Sequence, residues 1–271
     1  THGAAKGLLA KVKLTQGDFE KCSQLTKEII ESQVYALLPS YQQIFTEAGE
    51  NSSESLFEVQ TAAFETGGGG TQFNEVQGVR GTPNLGWGFN RPSDDLVGDY
   101  ESGDPRREAT ILYPGEVLPD GSAIVTDNPN IFNERYNQKA WVPSHAGGNG
   151  NGPGNIRLLR YADVLLMAAE SFNEINQPDE ALIYLNLVRT RARGLSPSIL
   201  PNITETDKDA LRDIIWHERR VELALEQQRW FDLLRQGRAG SVMQAVGKDF
   251  VIGKHELLPL PQSEIDLSGG I

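Results

Sequence analysis

The chain has 271 residues, 38% of them hydrophobic, and a formal net charge of −12. That length suits one large domain or two smaller ones, with enough apolar content for a real core. The acidic balance argues against nucleic acid, which needs a basic face, and against adsorption to anionic lipid; no apolar run reaches the roughly 18 residues of a membrane span.

Residues 3–15 and 18–32 are predicted to form a helical hairpin. Ala4, Leu8, Leu9, Val12 and Leu14 supply the apolar face of the first helix. Gly17-Asp18 makes the turn, with Asp18 as N-cap. Cys22, Leu25, Ile29 and Ile30 continue the apolar face on the second helix. Cys22 is the single cysteine, so no intramolecular disulfide can form. With no basic cluster beside it in sequence, it is expected to be a buried, inert thiol. The pattern is similar to a tetratricopeptide-type helix pair. The opening THGAAKGLLAKVKL lacks the basic start, apolar core and cleavage site of a signal peptide. It has the pattern of a helix interior, as though a longer chain preceded it. Tyr35 to Tyr41, with Pro39, breaks the helix. Glu54 to Gln60 alternates and is rich in β-formers, which predicts a short strand.

From Thr61 to Gly154 the character changes. Gly67–Gly70 is a run of four glycines, and Gly86-Trp87-Gly88-Phe89-Asn90 follows. Turn signals come at Pro92, Gly103–Pro105, Pro119–Gly121 and Asn128-Pro129. A Gly/Asn-rich stretch, 147–154, closes the block. Few windows show either period, so loops, turns and short strands are expected. Loops of this length in a compact protein are usually functional.

Helical order is predicted to return over Asn155 to Glu170. Leu158, Tyr161, Val164, Leu165, Met167, Ala168 and Phe172 point almost every way, as in a helix buried between neighbours. Pro178 suits the first position of a partner helix. Ala181, Leu182, Leu185, Val188 and Ala192 give that helix its apolar face, and Gly194 ends it. After a Pro-containing connection, Asp207 or Thr206 caps a helix running to about Arg229, followed by Trp230-Phe231. Phe250 to His255 reads as a turn or short strand. Glu256 to Glu264 is expected to be extended, because Pro259 and Pro261 oppose helix. Gly269 to Ile271 is a ragged end.

The segment His217 to Arg235 has charges in an unusual place. At 100° per residue, Leu211, Ile215, Glu218, Glu222, Leu225 and Arg229 share one stripe. Charges on a core-facing stripe must be paired and hydrogen-bonded. An ion-pair network is therefore predicted, with Arg219, Glu226 and Asp232 as further members. The Glu218–Glu222 pair could also serve as glycosidase carboxylates. The neighbouring Arg219, Arg220 and Arg229 would lower their pKa values, the wrong direction for a general acid. His217-Glu218 opens like a zinc HExxH motif, but Val221 stands where the second histidine belongs. His2, His145 and His255 are scattered, and no metal or cofactor is expected. No G-x-S-x-G elbow is present, and Gly67–Gly70 lacks the Lys-Ser/Thr of a phosphate loop.

Several stretches in one register resemble the RagB/SusD family. RYADVLLMAAE (160–170), LNLVRTRA (185–192), HERRVELALE (217–226) with Arg229, Asp232-Leu233 and Arg235, and GKHELLPLPQSEI (253–265) carry the resemblance. Trp87-Gly-Phe, Pro92 to Val97, Asp104 to Arg107, and Tyr35 to Glu58 also fit. The resemblance runs the length of the chain. Family members are roughly twice as long and begin with a lipoprotein signal and a lipidated cysteine. Cys22, in a helix, is not that residue, and this chain resembles their C-terminal portion. Position 227, usually Gly, is Gln227, and the family's closing tail does not follow.

The resemblance implies a mainly α fold in which tetratricopeptide-like helix pairs form one base (1–60 and 155–271). A loop-rich insertion (61–154) would carry the ligand site within a single SusD-like domain. It also implies a surface-exposed outer-membrane lipoprotein that binds glycans without cleaving them. Such a protein hands its glycan to a SusC-like TonB-dependent outer-membrane transporter. Sugars are bound by aromatic faces with amides and carboxylates around them. The insertion supplies Phe73, Asn74, Trp87, Asn90, Asp94, Tyr100, Tyr113, Tyr136, Asn137 and Trp141. Trp141, Trp87, Phe73, Asn90 and Tyr113 are the candidates, with Trp141 preferred because it precedes the Gly/Asn-rich run. Two other readings stand beside this one. One is a helical-repeat docking or scaffold protein with a peptide or other nutrient ligand. The other is a glycoside hydrolase.

Overall fold

The computed structural model describes residues 1–64, 69–80, 86–118, 121, 133–142 and 150–269. The expectations at Gly67 and Gly68, Pro119–Asp120, Asn128-Pro129, His145, 147–149 and the last two residues lie outside the described residues. The chain forms two units, Thr1–Gln227 and Gln228–Ile271.

The first unit is mainly helical. Helix α1 (His2–Thr15) and α2 (Phe19–Glu31) form the expected hairpin, with the Asp18 side chain accepting from the Lys21 N–H as N-cap. Gly17 makes the turn at φ +73°. The buried face of α1 differs from expectation. Ala4, Gly7, Ala10 and Leu14 are inside, whereas Leu8, Leu9 and Val12 are exposed. Small residues win because the helix lies close to the sheet: a Cβ on Gly7 would sit 2.5 Å from Leu159 Cδ2. Cys22 is a buried free thiol.

Strand β1 (Ser55–Val59) lies where alternation predicts it. The block that follows is more helical than its composition suggests. Its described residues hold three short α-helices, α3 (Phe73–Gln77), α4 (Asp94–Asp99) and α5 (Pro105–Thr110). All are under two turns, too short to show a helical period. Ser93 and Asp104 cap α4 and α5, and Pro105 takes the first helical turn. Strands β2 (Ile111–Leu112) and β3 (Tyr136–Asn137) pair antiparallel.

Residues 156–160 are a correction. They form strand β4 (Ile156–Arg160), not the start of a helix, and pair antiparallel with β1 through an irregular register. The helical pattern is real only from Tyr161. There α6 (Tyr161–Glu174) is buried over almost its whole length. It packs against α2, α7 (Pro178–Arg193) and α8 (Lys208–Glu222), and touches α1. Its all-round apolar surface is thus the centre of the core that gathers Leu25, Ile29, Leu165, Leu185, Val188, Leu211 and Ile215. Leu96, Tyr100 and Ile111 from the 61–154 block pack on Val221 in the last turn of α8 and on Ala224 just after it.

The helix predicted to reach Arg229 stops at Glu222. Leu225 and Gln227 have φ of +62° and +63°. Non-glycine residues in that region do not continue an α-helix.

The second unit contains α9 (Arg229–Arg235), α10 (Ala239–Ala245) and α11 (Gln262–Ser268). Leu233, Ala239 and Phe250 make its small core, with Trp230 edge-on to Phe250 at 6.1 Å. The extended segment ends earlier than expected. Pro261, with φ −56°, serves as the cap from which α11 starts. No helix among the described residues is long and apolar enough to cross a membrane.

Candidate functional site

The first unit is built round a set of buried charges. Glu218 and Glu222 sit one turn apart on the face of α8 that buries Leu211 and Ile215. Arg106 of α5, fully buried, reaches both. Its Nη1 donates to Glu218 at 2.5 Å and to Glu222 at 3.1 Å, while Nε and Nη2 hold Asp104. From α7, Arg189 donates to the other oxygen of Glu218 at 2.8 Å, and Arg191 donates to Glu222 and Glu54. Arg160, closing β4, donates to Glu222 at 2.6 Å, Glu54 at 3.1 Å and Glu226 at 2.7 Å. Lys139 donates to Glu226 at 2.7 Å and lies 5.0 Å and 4.6 Å from the Tyr41 and Phe45 ring centroids. A satellite forms where Arg219 and Lys11 hold Asp163 at 2.9 Å and 2.8 Å. Asp232 lies in the second unit and pairs there with Arg235 at 2.8 Å. Arg229 opens α9 in that same unit.

These contacts decide protonation. Burial pushes the Glu222 carboxyl up, but Arg191, Arg160 and Arg106 outweigh it and hold the group well below the usual carboxylate range. Burial opposes Arg160 and Lys139 in the same way at Glu226, which is also lowered. Lys139 goes the other way: burial lowers it to about 8 against the pull of Glu226. A general acid needs a raised pKa at the operating pH, and Glu222 has the opposite. Its oxygens accept from three guanidinium groups, and the carboxylate is fully buried.

The candidate aromatic residues divide by burial. Trp141 is half-buried and packs on the cluster of Val79, Leu112, Leu118 and Tyr136. Phe73 is half-buried and lines a pocket of about 30 Å³ beside Asn74 and Lys139. That is room for about one water molecule. Tyr113 is half-buried, with the Arg107 guanidinium 6.0 Å from its ring. Tyr100, Tyr136, Asn74 and Asn137 are buried. Asp94 pairs with Arg135 at 2.5 Å.

Trp87 stands apart, being 43% exposed. It meets Phe89, 62% exposed, edge to face with ring centroids 6.3 Å apart and planes at 77°. Asn90, also exposed, adjoins them and donates to Gln77 at 2.6 Å. The loop carrying these groups is pinned to α3 through its backbone. Trp87 N–H donates to Glu75 O, Gly88 N–H to Gly78 O and Phe89 N–H to Val76 O, at 3.1, 3.1 and 2.9 Å. Asn133 donates to Gly88 O at 2.9 Å. The loop is therefore fixed through its backbone, and both rings keep much of their surface in solvent. Sequence reasoning missed Phe89, although the Gly-Trp-Gly-Phe alternation was its signal. Small residues on either side of a ring leave it nothing local to pack against.

A separate groove of about 680 Å³ lies between the Pro39–Gln42 turn, α5, the turn after β2 and the end of α7. Glu108, Glu116, Gln42, Gln138 and Arg193 line it. The one aromatic residue in its lining, Tyr41, is buried, and its hydroxyl donates to Glu222 O at 2.7 Å.

Residues 53–271 match the model of the SusD family. The chain belongs to that family. SusD-like protein P2 of Formosa agariphila is 33% identical over 294 residues, covering 98% of this chain and 57% of its own length. SusD-like protein P25 of the same organism is 27% identical, over 98% of this chain and 56% of its length. The chain thus spans about half the length of the curated relatives it matches end to end. Among solved structures, surface glycan-binding protein A from Bacteroides thetaiotaomicron in complex with laminarihexaose superposes with a TM-score of 0.79 at 29% identity. That match covers 98% of this chain and 62% of the other. A laminarin-binding SusD-like protein gives 0.80 at 30%, over 98% and 60%. The mainly helical architecture described above is the SusD-like fold.

Proposed function

We propose that this chain carries the ligand-capturing part of a surface glycan-binding protein, with the Trp87–Phe89 pair as its sugar platform. The observation that carries this reading is the exposure of two large rings on a loop fixed by backbone hydrogen bonds. Exposed aromatic groups cost free energy unless something covers them. A pyranose ring offers a flat C–H face to cover them, and the Asn90 amide lies beside them for hydroxyls. Relatives named for glycan and laminarin binding support the same class of ligand. The protein binds and does not cleave. Its buried carboxylate pair is saturated by arginines, and Glu222 is held in the wrong direction for acid catalysis. The bound glycan is delivered to a partner TonB-dependent outer-membrane transporter, with the protein tethered at the cell surface.

Affinity electrophoresis in gels containing laminarin or other polysaccharides tests the reading. Retardation by at least one glycan, lost on Trp87→Ala, is the expected result. A native protein that no polysaccharide retards would sink it, and release of reducing sugar from a bound glycan would revive hydrolysis. Co-purification of the tagged protein with an outer-membrane transporter tests the delivery step.

A second reading has one observation in its favour. The 680 Å³ groove is polar and lined by charges of both signs, as a peptide or a partner's loop would require. Under that reading Trp87→Ala leaves ligand binding intact and Glu108→Ala weakens it.

A further inference from the structure

On the reading of Trp87 and Phe89 as a sugar platform, the shape of the pair bears on which glycans fit. In extended backbone, residues two apart point the same way, so two rings in a W-x-F segment would line one flat surface. Here Gly88 intervenes with φ +72° and bends the chain. A side chain there would be strained by that φ, and its Cβ, 2.5 Å from the Asn133 amide, would push that amide aside. The rings meet at 77°. They make a corner, not a floor.

A corner reads the shape of a polymer. When one sugar covers the Trp87 face, its neighbour can cover the Phe89 face only if the chain turns between them. β-1,4-linked glucan runs as a flat ribbon whose successive rings stay close to one plane. β-1,3-linked glucan winds, and its successive rings rotate. Flattening the corner to suit the ribbon must come from the side-chain torsions alone, because backbone bonds from Trp87, Gly88 and Phe89 to α3 and its following turn fix where the two side chains start.

We propose that Phe89 is a specificity-determining residue: the right-angled Trp87–Phe89 corner accepts glucans that turn between neighbouring sugars and discriminates against flat ones. Phe89 then adds affinity only for the turning chain, whereas Trp87 serves either. The discrimination is a difference of affinities, created by the contact that the wrong shape cannot make.

Isothermal titration of the full chain with laminarihexaose and with cellohexaose tests this on the native protein, Phe89→Ala and Trp87→Ala. The native protein should prefer laminarihexaose by about tenfold or more, the scale of one good aromatic contact. Phe89→Ala should bring the two affinities together by weakening laminarihexaose. Its melting temperature should not move, because the ring is mostly in solvent. Equal native affinities, or a preference that survives Phe89→Ala, would overturn the proposal while leaving glycan binding at Trp87 intact. Binding of neither hexasaccharide would overturn it too. If other polysaccharides also fail to bind, the glycan reading goes with it. A pair of rings used for protein docking would reveal itself as a Trp87→Ala variant that keeps full glycan affinity.

Discussion

Glu222 receives hydrogen bonds from Arg106, Arg160 and Arg191, and it is wholly inside. Truncating it leaves three buried guanidinium groups short of an acceptor. Glu222→Ala should therefore cost about 3–5 kcal/mol, the range for breaking a buried pair from one side. Chemical denaturation of whatever folds would measure the loss. Glycan affinity per folded molecule should stay the same, and a stable Glu222→Ala protein that had specifically lost ligand would contradict the structural role. The periodicity of α8 revealed two of these charges, because Glu218 and Glu222 fall among leucine and isoleucine on one stripe. Their partners were not legible. Arg106 and Glu222 are 116 residues apart and Arg191 and Glu54 are 137 apart, with no local pattern joining them. The same limit separates the tryptophans. Trp141 stands between Ala140 and Val142 and Trp87 between Gly86 and Gly88. Tertiary packing sets the first against the cluster that contains Tyr136 and leaves the second 43% exposed.

At the scale of elements, the sequence pattern located α1, α2, β1, α6 and α7. It failed where a tertiary contact or a backbone reversal overrode periodicity. Leu158 and Leu159 suit a helix or a strand equally, and pairing with β1 decides for the strand. The end of α8 is the clearest case. Nothing in EQQRW is a strong helix breaker, yet Leu225 and Gln227 both turn left-handed. A non-glycine residue there costs about 1–2 kcal/mol. Gln227→Gly should relieve that strain. The gain is offset by the looser unfolded chain, worth about 0.4–1 kcal/mol. A net stabilisation of about 0.5 kcal/mol should appear as a higher urea midpoint with an unchanged m-value. Leu225→Gly makes the contrast. Leu225 packs against the cluster of Val221 and Ala224, so the same backbone relief is outweighed by lost burial, and the midpoint should fall.

Across the first unit as a whole, the buried charges join segments far apart in the chain. Glu54 comes from before β1, Arg106 from α5, Lys139 from beside β3, Arg160 from β4, Arg189 and Arg191 from α7, and Glu218, Glu222 and Glu226 from α8 and its exit. Burial of this kind is a weak source of net stability compared with apolar packing, yet it penalises every arrangement that leaves one member unpaired. It also makes the fold sensitive to acid. Glu222, Glu226 and Asp163 all have folded pKa values below their ordinary values of 4.5, 4.5 and 3.8, because arginine and lysine partners outweigh burial. Such groups bind protons less readily folded than unfolded, so the unfolded state is favoured as protons become available. Their contribution is fully present above about pH 5 and drains away as the pH falls through the ordinary carboxylate range toward the lowered folded values. The urea midpoint should accordingly hold level from pH 7 to about pH 5 and drop steeply between pH 4 and pH 2. Asp163→Asn, which removes one depressed carboxyl, should lower stability at neutral pH and make that acid limb shallower. A limb of unchanged steepness in Asp163→Asn would mean that the acid sensitivity resides in other carboxylates. The exposed Trp87–Phe89 corner carries no titrating group in its rings. Glycan affinity measured on protein that remains folded should therefore stay constant down to the pH at which the lattice begins to fail.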